Sequence, residues 1–280
     1  MGMKRIVWGC VLTILCSASC FSFAFAATEV TAPPLTITLG AGAARLPDYE
    51  GAQTKRSQIY PIANARLTTE YGVFTVGGDT SPPGNDIPLF SWAIGDPKHF
   101  IAALFIDYDG GRRDDRGRGG LHAGSPRLRG LGNLSGTLEY GVFGSYTYGI
   151  FTTNLDARTA PSSQGHGGTI ADFSVDIAIP IDAKLVLTAS PSVSWASQRY
   201  LRRYFGVTPA QSAASGFATY APDAGSKNAG LTISANYQLD KHWLAVANLA
   251  ASRLLGSAAN SPIVERKTFI SPSVGVAYSW

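Results

Sequence analysis

Strict alternation of apolar and polar side chains recurs along this sequence in segments of about ten residues. In the segment 231–239, the odd-numbered residues are Leu, Ile, Ala, Tyr and Leu, and the even-numbered ones are Thr, Ser, Asn and Gln. Similar alternation occupies 35–42, 171–179, 185–195 and 270–280. A period of two residues indicates a β-strand with one apolar face. About ten residues is the length with which a tilted strand crosses a bilayer.

The connections between such segments alternate between tight turns and long loops. We predict strands at 35–46, 58–70, 72–78, 88–95, 99–108, 135–147, 150–157, 169–179, 184–196, 229–239, 243–254 and 268–280. Alternation alone also fits a soluble sandwich or a lipocalin-like barrel, but a soluble sandwich has no reason to sort its loops by length. Short turns at one end and long loops at the other are typical of bacterial outer-membrane barrels. The predicted fold is therefore all-β, a transmembrane antiparallel up-and-down β-barrel of about 12 strands, with ten as the alternative.

Aromatic residues fall at the ends of these predicted strands, as expected for the two girdles of a membrane barrel. Those assigned to the turn end are Tyr71, Phe100, Tyr148, Phe151, Tyr237, Trp243, Tyr278 and Trp280. Those assigned to the loop end are Tyr60, Tyr108 and Trp195. The last strand ends on an aromatic residue, which resembles the insertion signal of outer-membrane proteins, although Phe is commoner there. An even strand number places both termini and the tight turns in the periplasm.

The first 26 residues are typical of a cleavable secretory signal. Lys4 and Arg5 precede an apolar stretch, and the small-x-small pattern at 24–26 follows it. A membrane anchor or a lipoprotein with Cys20 lipidated are the weaker alternatives. All three cysteines fall within this segment, so the predicted mature barrel, 27–280, has no disulfide or thiolate chemistry. Without Lys4 and Arg5, the 23 basic residues become 21 against 19 acidic ones, too balanced for nucleic-acid binding.

The predicted inward faces carry small and polar side chains. They are Ser190, Ser192, Ser194, Ser271, Ser273, Gly275, Asp172, Asp176 and Asn236. About 12 strands are too few for a wide porin lumen. Such an interior is therefore either filled by its own side chains, the favoured interpretation, or wet enough to form a narrow channel.

No catalytic constellation is apparent in the sequence. The histidines His99, His122, His166 and His242 all lie in predicted turns or loops, and none alternates into a strand beside a serine. We therefore predict a non-enzymatic protein without metal or cofactor. Acidic residues near 107–115 do not have the spacing of an EF-hand. Because Arg112, Arg113, Arg116 and Arg118 interleave with them, we predict a self-compensating, solvated loop whose arginines meet lipopolysaccharide phosphates.

Four segments resemble the MipA/OmpV family of outer-membrane proteins. They are 39–42 with 47–51, 108–112 with 128–132, 204–208 with 211–216, and 261–264 before the final strand. Their order and spacing match from about residue 35 to the end of the chain. The resemblance selects as candidate contact residues Asp48, Tyr49, Glu50, Gly51, Asp109, Gly111, Arg112, Tyr204, Phe205, Gly206 and Pro262.

The resemblance also implies a role and its partners. The family is named for interaction with a murein-degrading lytic transglycosylase. In that role, the family protein is a scaffold that brings the transglycosylase together with a penicillin-binding protein. We therefore expect an outer-membrane scaffold that contacts these two enzymes, outer-membrane lipid and lipopolysaccharide, and no nucleic acid. A narrow solute channel and a surface adhesin acting through 197–228 are the alternatives. The matched motifs lie mostly on predicted extracellular loops, whereas murein lies in the periplasm.

Overall fold

Twelve antiparallel strands close into a single barrel in the computed structural model, which describes residues 34–78, 86–115, 124–161 and 165–280. Each strand pairs with its neighbours in sequence, and β1 pairs with β12 to close the ring. The strands are β1 Leu35–Pro47, β2 Lys55–Thr69, β3 Gly72–Gly78, β4 Asp86–Asp96, β5 Phe100–Asp109, β6 Thr137–Tyr148, β7 Phe151–Thr159, β8 Thr169–Pro180, β9 Leu185–Ala196, β10 Gly225–Gln238, β11 Trp243–Leu254 and β12 Thr268–Ser279. The predicted fold class is confirmed, with 12 strands rather than ten.

The outer wall of the barrel is apolar, the reverse of a soluble protein. On β10, Leu231 and Ile233 are 45% and 43% exposed, whereas Thr232 and Ser234 are 5% and 2% exposed. In hydrocarbon every backbone polar group must find a partner, which a closed sheet supplies. The alternation of the sequence therefore sets which side chains face lipid and which face the interior.

The interior is lined by the residues predicted to face inward. Asp176, Ser190, Asn236 and Ser273 are all buried there. Asn154 of β7 donates to Asp176 Oδ2 at 2.9 Å, and other polar side chains pair similarly across adjacent strands. Apolar side chains fill two further parts of the interior. One comprises Ala93, Ile101, Ala103, Phe105 and Phe143, and the other Ala44, Leu46, Tyr60, Ile62 and Ala277.

The loop-end girdle departs from the sequence prediction at one residue. Tyr60 is only 1% exposed, because its even position on β2 points into the barrel. Its ring occupies the space beside Gly42 of β1, where a Cβ atom would lie 2.2 Å from the ring. The assignment of Tyr60 to an interface was therefore wrong. Trp195 is exposed on the outer wall as predicted.

At the turn end, three of the aromatic residues predicted for that interface are in contact with one another. The rings of Tyr278 and Trp280 lie 4.6 Å apart, and Trp243 meets Tyr278 edge-on at 5.1 Å. Three of the short turns are fixed by an aspartate whose side chain accepts from the backbone. Asp96 Oδ1 accepts from the backbone N–H of Lys98 at 3.0 Å. Asp182 Oδ1 accepts from Lys184 and Leu185, and Asp240 Oδ1 accepts from His242 and Trp243.

Short helices occur only at the loop end among the described residues. They are a 3-10 helix at Pro126–Leu128 and the α-helices α1 Gln198–Phe205, α2 Pro209–Ser215 and α3 Gly256–Ala259. None of the described helices has the length and apolar character needed to cross a membrane. The predicted signal segment 1–26 lies outside the described residues, as do His122, Arg116 and Arg118.

Candidate functional site

Four of the long loops pack together into one cap at the end of the barrel opposite the tight turns. Its hydrophobic core, the cap core, takes side chains from four separate loops: Tyr49, Ala52, Leu128, Leu131, Val207 and Ile263. Burial of several such side chains at about 1.5–3 kcal/mol each is enough to hold the loops together. The cap is therefore a folded element and not a set of independent loops.

A second hydrophobic cluster joins this cap to the barrel wall. The α1 side chains Tyr200, Leu201 and Phe205 pack on Ile170 of β8 and Leu254 of β11, together with Ala196, Ala258 and Ala259. Ser197 begins α1, and its Oγ accepts from the backbone N–H of Thr169 at 2.9 Å. Helix α1 is thereby fixed to the ends of the strands below it.

The residues of the motif 204–208 form contacts or helix ends within the cap. The Tyr204 hydroxyl donates to Asp109 Oδ1 at 2.7 Å. Phe205 is buried in the cluster beneath α1, and Gly206 ends that helix. Thr208 begins α2 through a reciprocal capping box with Gln211, whose side chain also reaches the backbone oxygen of Leu131 at 2.6 Å. The motif thus carries one helix end, one core side chain and the next helix start.

The first-loop motif holds the β1–β2 loop against the β11–β12 loop. The Tyr49 hydroxyl donates to the backbone oxygen of Ile263 at 2.9 Å, next to the candidate residue Pro262. Burial raises the pKa of Tyr49, with Glu265 adding to the effect. The backbone oxygen of Gly51 accepts from Glu265 and Arg266 at 2.8 and 3.0 Å.

The other two residues of this motif make contacts elsewhere. The Asp48 backbone oxygen accepts from Gly124 at 2.7 Å, and its buried carboxylate accepts from Thr54. Glu50 pairs with Lys227 of β10 at 2.9 Å. All four residues of the motif are therefore engaged inside the cap or at its border.

The segment 109–112 differs from the solvated loop predicted for it. Arg112 is only 4% exposed, and its guanidinium donates to the backbone oxygen of Tyr204. Burial lowers the pKa of Arg112, while Tyr204, Tyr49 and Asp114 oppose that effect. The prediction of a solvated, lipopolysaccharide-binding arginine was therefore wrong for Arg112. Arg113 and Asp115, 2.9 Å apart, form an exposed ion pair that compensates its own charge. The contact of this loop with lipopolysaccharide stays a prediction.

A set of paired charges, which we call the ion network, lies beneath the cap on the inner face of the barrel. Asp109 Oδ2 lies 3.5 Å from His166 Nε2, and that nitrogen lies 2.8 Å from Glu139 Oε1. Glu139 Oε2 lies 3.3 Å from Arg158, whose Nη1 contacts Asp156 at 2.9 Å and Asp172 at 2.6 Å. Through Tyr204, the ion network connects α1 to four consecutive strands and to the loop that carries His166.

The ion network also raises the question of a metal site. Asp109, Glu139 and His166 each offer one ligand atom, all within 4.8 Å of one another. However, the backbone N–H of Gly168 donates to His166 Nδ1 at 3.0 Å. A neutral imidazole whose Nδ1 accepts carries its proton on Nε2, the nitrogen that faces both carboxylates. A metal would require that nitrogen to be bare, so the geometry fits a hydrogen-bonded latch better than a metal centre.

Sequence reasoning missed the centre of the ion network. His166 was assigned to an ordinary loop, but it is fully buried. Glu139 and Arg158 were not selected at all, although both are buried. The available signal was their parity: each carries a charge at an inward position of an alternating strand. Such charges are costly unless they are paired, so they indicate a network.

These features define a class of protein. An apolar outer wall, a polar interior, a closed antiparallel ring and the sorting of short turns from long loops describe an outer-membrane β-barrel, here with its loop end capped. The chain belongs to the family described as MltA-interacting protein MipA, whose model matches residues 39–280. The family resemblance and the localisation to the outer membrane are thus confirmed.

Solved barrels resemble the chain only distantly. The NanC porin aligns with a TM-score of 0.45 at 8% identity, over 86% of this chain and 98% of that one. A Pseudomonas aeruginosa FadL homologue gives 0.44 at 10%, over 88% and 89%. OmpT of Vibrio cholerae gives 0.39 at 10%, over 90% and 99%. No curated protein sequence matches this chain significantly.

Proposed function

We propose that this barrel is a non-enzymatic scaffold that holds a murein-degrading lytic transglycosylase, and through it a penicillin-binding protein, against the outer membrane. The observation that carries the proposal is the folding of the family-like motifs into the cap. The motif side chains are occupied with one another there, so we assign partner binding to the turn end. We expect the turn end to face the periplasm, where murein lies, so a partner bound there would be on the same side of the membrane as murein.

The turn end has features suited to a rigid docking surface. Asp96, Asp182 and Asp240 each accept backbone N–H groups within their turn, and a lysine follows each within two residues. Turns fixed in this way lose little conformational entropy when a partner binds. Exposed Tyr71 and Tyr148 stand between them and supply aromatic contact area of the kind enriched in interfaces.

The proposal is tested by affinity purification of the tagged barrel from cross-linked envelopes. The informative variant reverses three lysines of the turn end, Lys98→Glu, Lys184→Glu and Lys241→Glu. The matched control makes the same charge change on exposed cap arginines: Arg129→Glu, Arg202→Glu and Arg203→Glu. We expect the control and the wild type to recover a transglycosylase and a penicillin-binding protein, and the turn-end variant to lose them. Recovery of neither enzyme by the wild type would remove the scaffold role.

A narrow solute channel is the second candidate, favoured by the polar wall around Asp176, Asn236 and Asn248. Each of these side chains has one buried oxygen without a hydrogen-bond partner, which water or a polar solute would satisfy. The packed cap opposes conduction in the closed form. Planar-bilayer recordings of the purified barrel decide between the two: steady conductance supports the channel, and its absence across voltages supports a filled barrel.

We further propose that residues 1–26 are removed on export, so that the mature barrel begins at Ala27. The small-x-small pattern at 24–26 supports this site of cleavage. Intact mass measurement of the protein purified from outer membranes tests it. A mass that retains the first 26 residues, or one with lipid attached at Cys20, contradicts the proposal.

A further inference from the structure

Five cations near the loop end of the barrel form a group that we call the basic rim: Arg45, Lys55, Arg253, Arg266 and Lys267. All five side chains are exposed. They lie on or beside β1, β2, β11 and β12, the strands around the closure of the barrel. The basic rim is therefore one patch on one side of the wall.

The strand register places these side chains near one another. Arg45 pairs with Ser57 on β2, and Lys55 lies two residues further along that strand, opposite Pro47. Such diagonal neighbours are about 7–8 Å apart. The Lys55 ammonium extends past β1 and donates to the backbone oxygen of Ile270 on β12 at 2.7 Å. Arg253 pairs with Thr268, which is two residues from Ile270 on the same strand.

Parity on the strands shows that Arg45 and Arg253 point outward. The neighbours of Arg45, Ala44 and Leu46, are buried inside the barrel, and so is Leu254 beside Arg253. Arg266 is held close by, because its backbone N–H donates to Gly51 in the loop that leads into Lys55. Backbone pairing thus fixes Arg45 and Arg253 on the lipid side of the wall.

The carboxylates of the adjoining loops do not neutralise the basic rim. Glu50 pairs with Lys227, and Glu265 pairs with Arg127 at 3.0 Å. Asp48 is buried and accepts from Thr54. Within the part of the chain that the structure describes, no carboxylate forms an ion pair with any of the five cations. The patch therefore carries an uncompensated positive charge.

Directly below the basic rim, the same wall is strongly apolar. Ile59, 78% exposed, lies on β2 below Lys55, and Leu249, Ile270 and Val274 continue the surface on β11 and β12. Cations above an apolar strip match a molecule with anionic groups above hydrocarbon chains. Arginine forks bind phosphate oxygens in pairs, and a lysine adds a point charge. Because the long loops of outer-membrane barrels are extracellular, we expect the loop end to lie at the level of the outer leaflet.

We propose that the basic rim is a binding site for a phosphorylated glycolipid of the outer leaflet, with phosphates on Arg45, Lys55 and Arg253 and acyl chains on the strip below. The site is separate from the turn end and independent of the scaffold role. Bound there, the lipid bridges the strands on both sides of the β1–β12 seam, where the barrel closes.

The test uses the full-length mature barrel in detergent and lipid A with both phosphates as the probe. Binding is measured by native mass spectrometry and by the rise of Tm with lipid concentration. The informative variant is Arg45→Gln with Arg253→Gln. The matched control, Lys184→Gln with Lys241→Gln, removes two exposed cations at the turn end. A third variant, Arg45→Lys with Arg253→Lys, keeps the charges and removes the forks.

Each cation near a lipid surface contributes about fivefold to binding, so we expect the Gln rim variant to bind roughly 25-fold more weakly. The control should bind like the wild type, and the Lys variant should fall between them. Lipid A stripped of its phosphates should bind like the Gln rim variant. The proposal is overturned if the rim and control variants bind equally. The proposal is also overturned if the wild-type barrel binds dephosphorylated lipid A as tightly as lipid A with both phosphates. Full displacement of lipid A by the same concentration of inorganic phosphate would indicate a free-phosphate site instead.

Discussion

His166 Nε2 lies 2.8 Å from Glu139 Oε1, and this contact joins the β7–β8 loop to the inner face of β6. Both side chains are fully buried. The contact is a hydrogen bond from the imidazole to the carboxylate, because Gly168 occupies the other ring nitrogen. Glu139 is also the residue through which the cap meets Arg158, so the stability of the cap depends on how this buried charge is balanced.

Arg158→Met tests that balance. Arg158 lies within 3.3 Å of Glu139, 2.9 Å of Asp156 and 2.6 Å of Asp172, and its loss removes the cation that these carboxylates share. Breaking a buried pair in this way costs about 3–5 kcal/mol. The measurement is the free energy of unfolding by urea in lipid vesicles. Arg202→Met on the exposed face of α1 should change it by no more than about 0.5 kcal/mol. Equal losses from both substitutions would contradict a central role for Arg158.

Gly111→Ala tests the close approach at the edge of the cap. Gly111 has a φ of 72°, and a Cβ atom there would lie 2.1 Å from the backbone oxygen of Leu134. Gly132 is the control, because its φ is 74° but nothing lies within 4 Å of its Cβ position. Gly132→Ala should cost about 1–2 kcal/mol for the left-handed backbone alone. Gly111→Ala should cost on the order of 1–3 kcal/mol more, since the backbone must also move. Similar free energies of unfolding for the two variants would exclude the steric effect.

Addition of Zn²⁺ tests the tautomer of His166. If Nδ1 accepts from Gly168, the Nε2 proton occupies the position that a metal would need. We expect no rise in Tm with zinc at concentrations well above those of structural sites, and a ¹⁵N chemical shift of an unprotonated Nδ1. A saturable rise in Tm with zinc that is lost in His166→Asn would contradict the hydrogen-bonded arrangement and indicate a metal site.

The turn aspartates predict a pH dependence at the opposite end of the barrel. Backbone N–H groups of His242 and Trp243 hold the pKa of Asp240 below its usual value of 3.8. A lowered pKa in the folded turn means that the stabilisation is complete above about 3.8 and is lost as the pH falls through the lower, folded value. The amide protons of these two residues should therefore stay protected from exchange at pH 4.

Asp240→Asn is the corresponding variant. An asparagine cannot ionise, so protection of the His242 and Trp243 amides should be weaker than in the wild type and should not change between pH 6 and pH 3. Asp182→Asn, in the equivalent turn before β9, should lose protection only at Lys184 and Leu185. A wild-type turn whose protection is already lost at pH 5 would contradict the direction of the pKa shift.

Most of the barrel could be predicted from the sequence, whereas the interior of the cap could not. Strand parity predicted Leu231 as lipid-facing and Asn236 as inward, because the alternation of apolar and polar side chains along one strand is a local property of the sequence. The motif around Tyr204 was found by resemblance, but its contact with Asp109 depends on how a 28-residue loop folds back on another strand. Burial of Arg112 and His166 follows from that same long-range packing, to which charge and loop position give no guide.

The hydrogen bond from Tyr49 to Ile263 joins residues 214 positions apart in the chain. The loops that carry these two residues come together only when β1 has paired with β12. Contacts between such distant positions form late, since the loop entropy is lost before the contact gains anything. Formation of the cap core thus reports that the ring has closed in the right register. A quality-control step that recognised an unfolded cap would reject barrels left open at the seam.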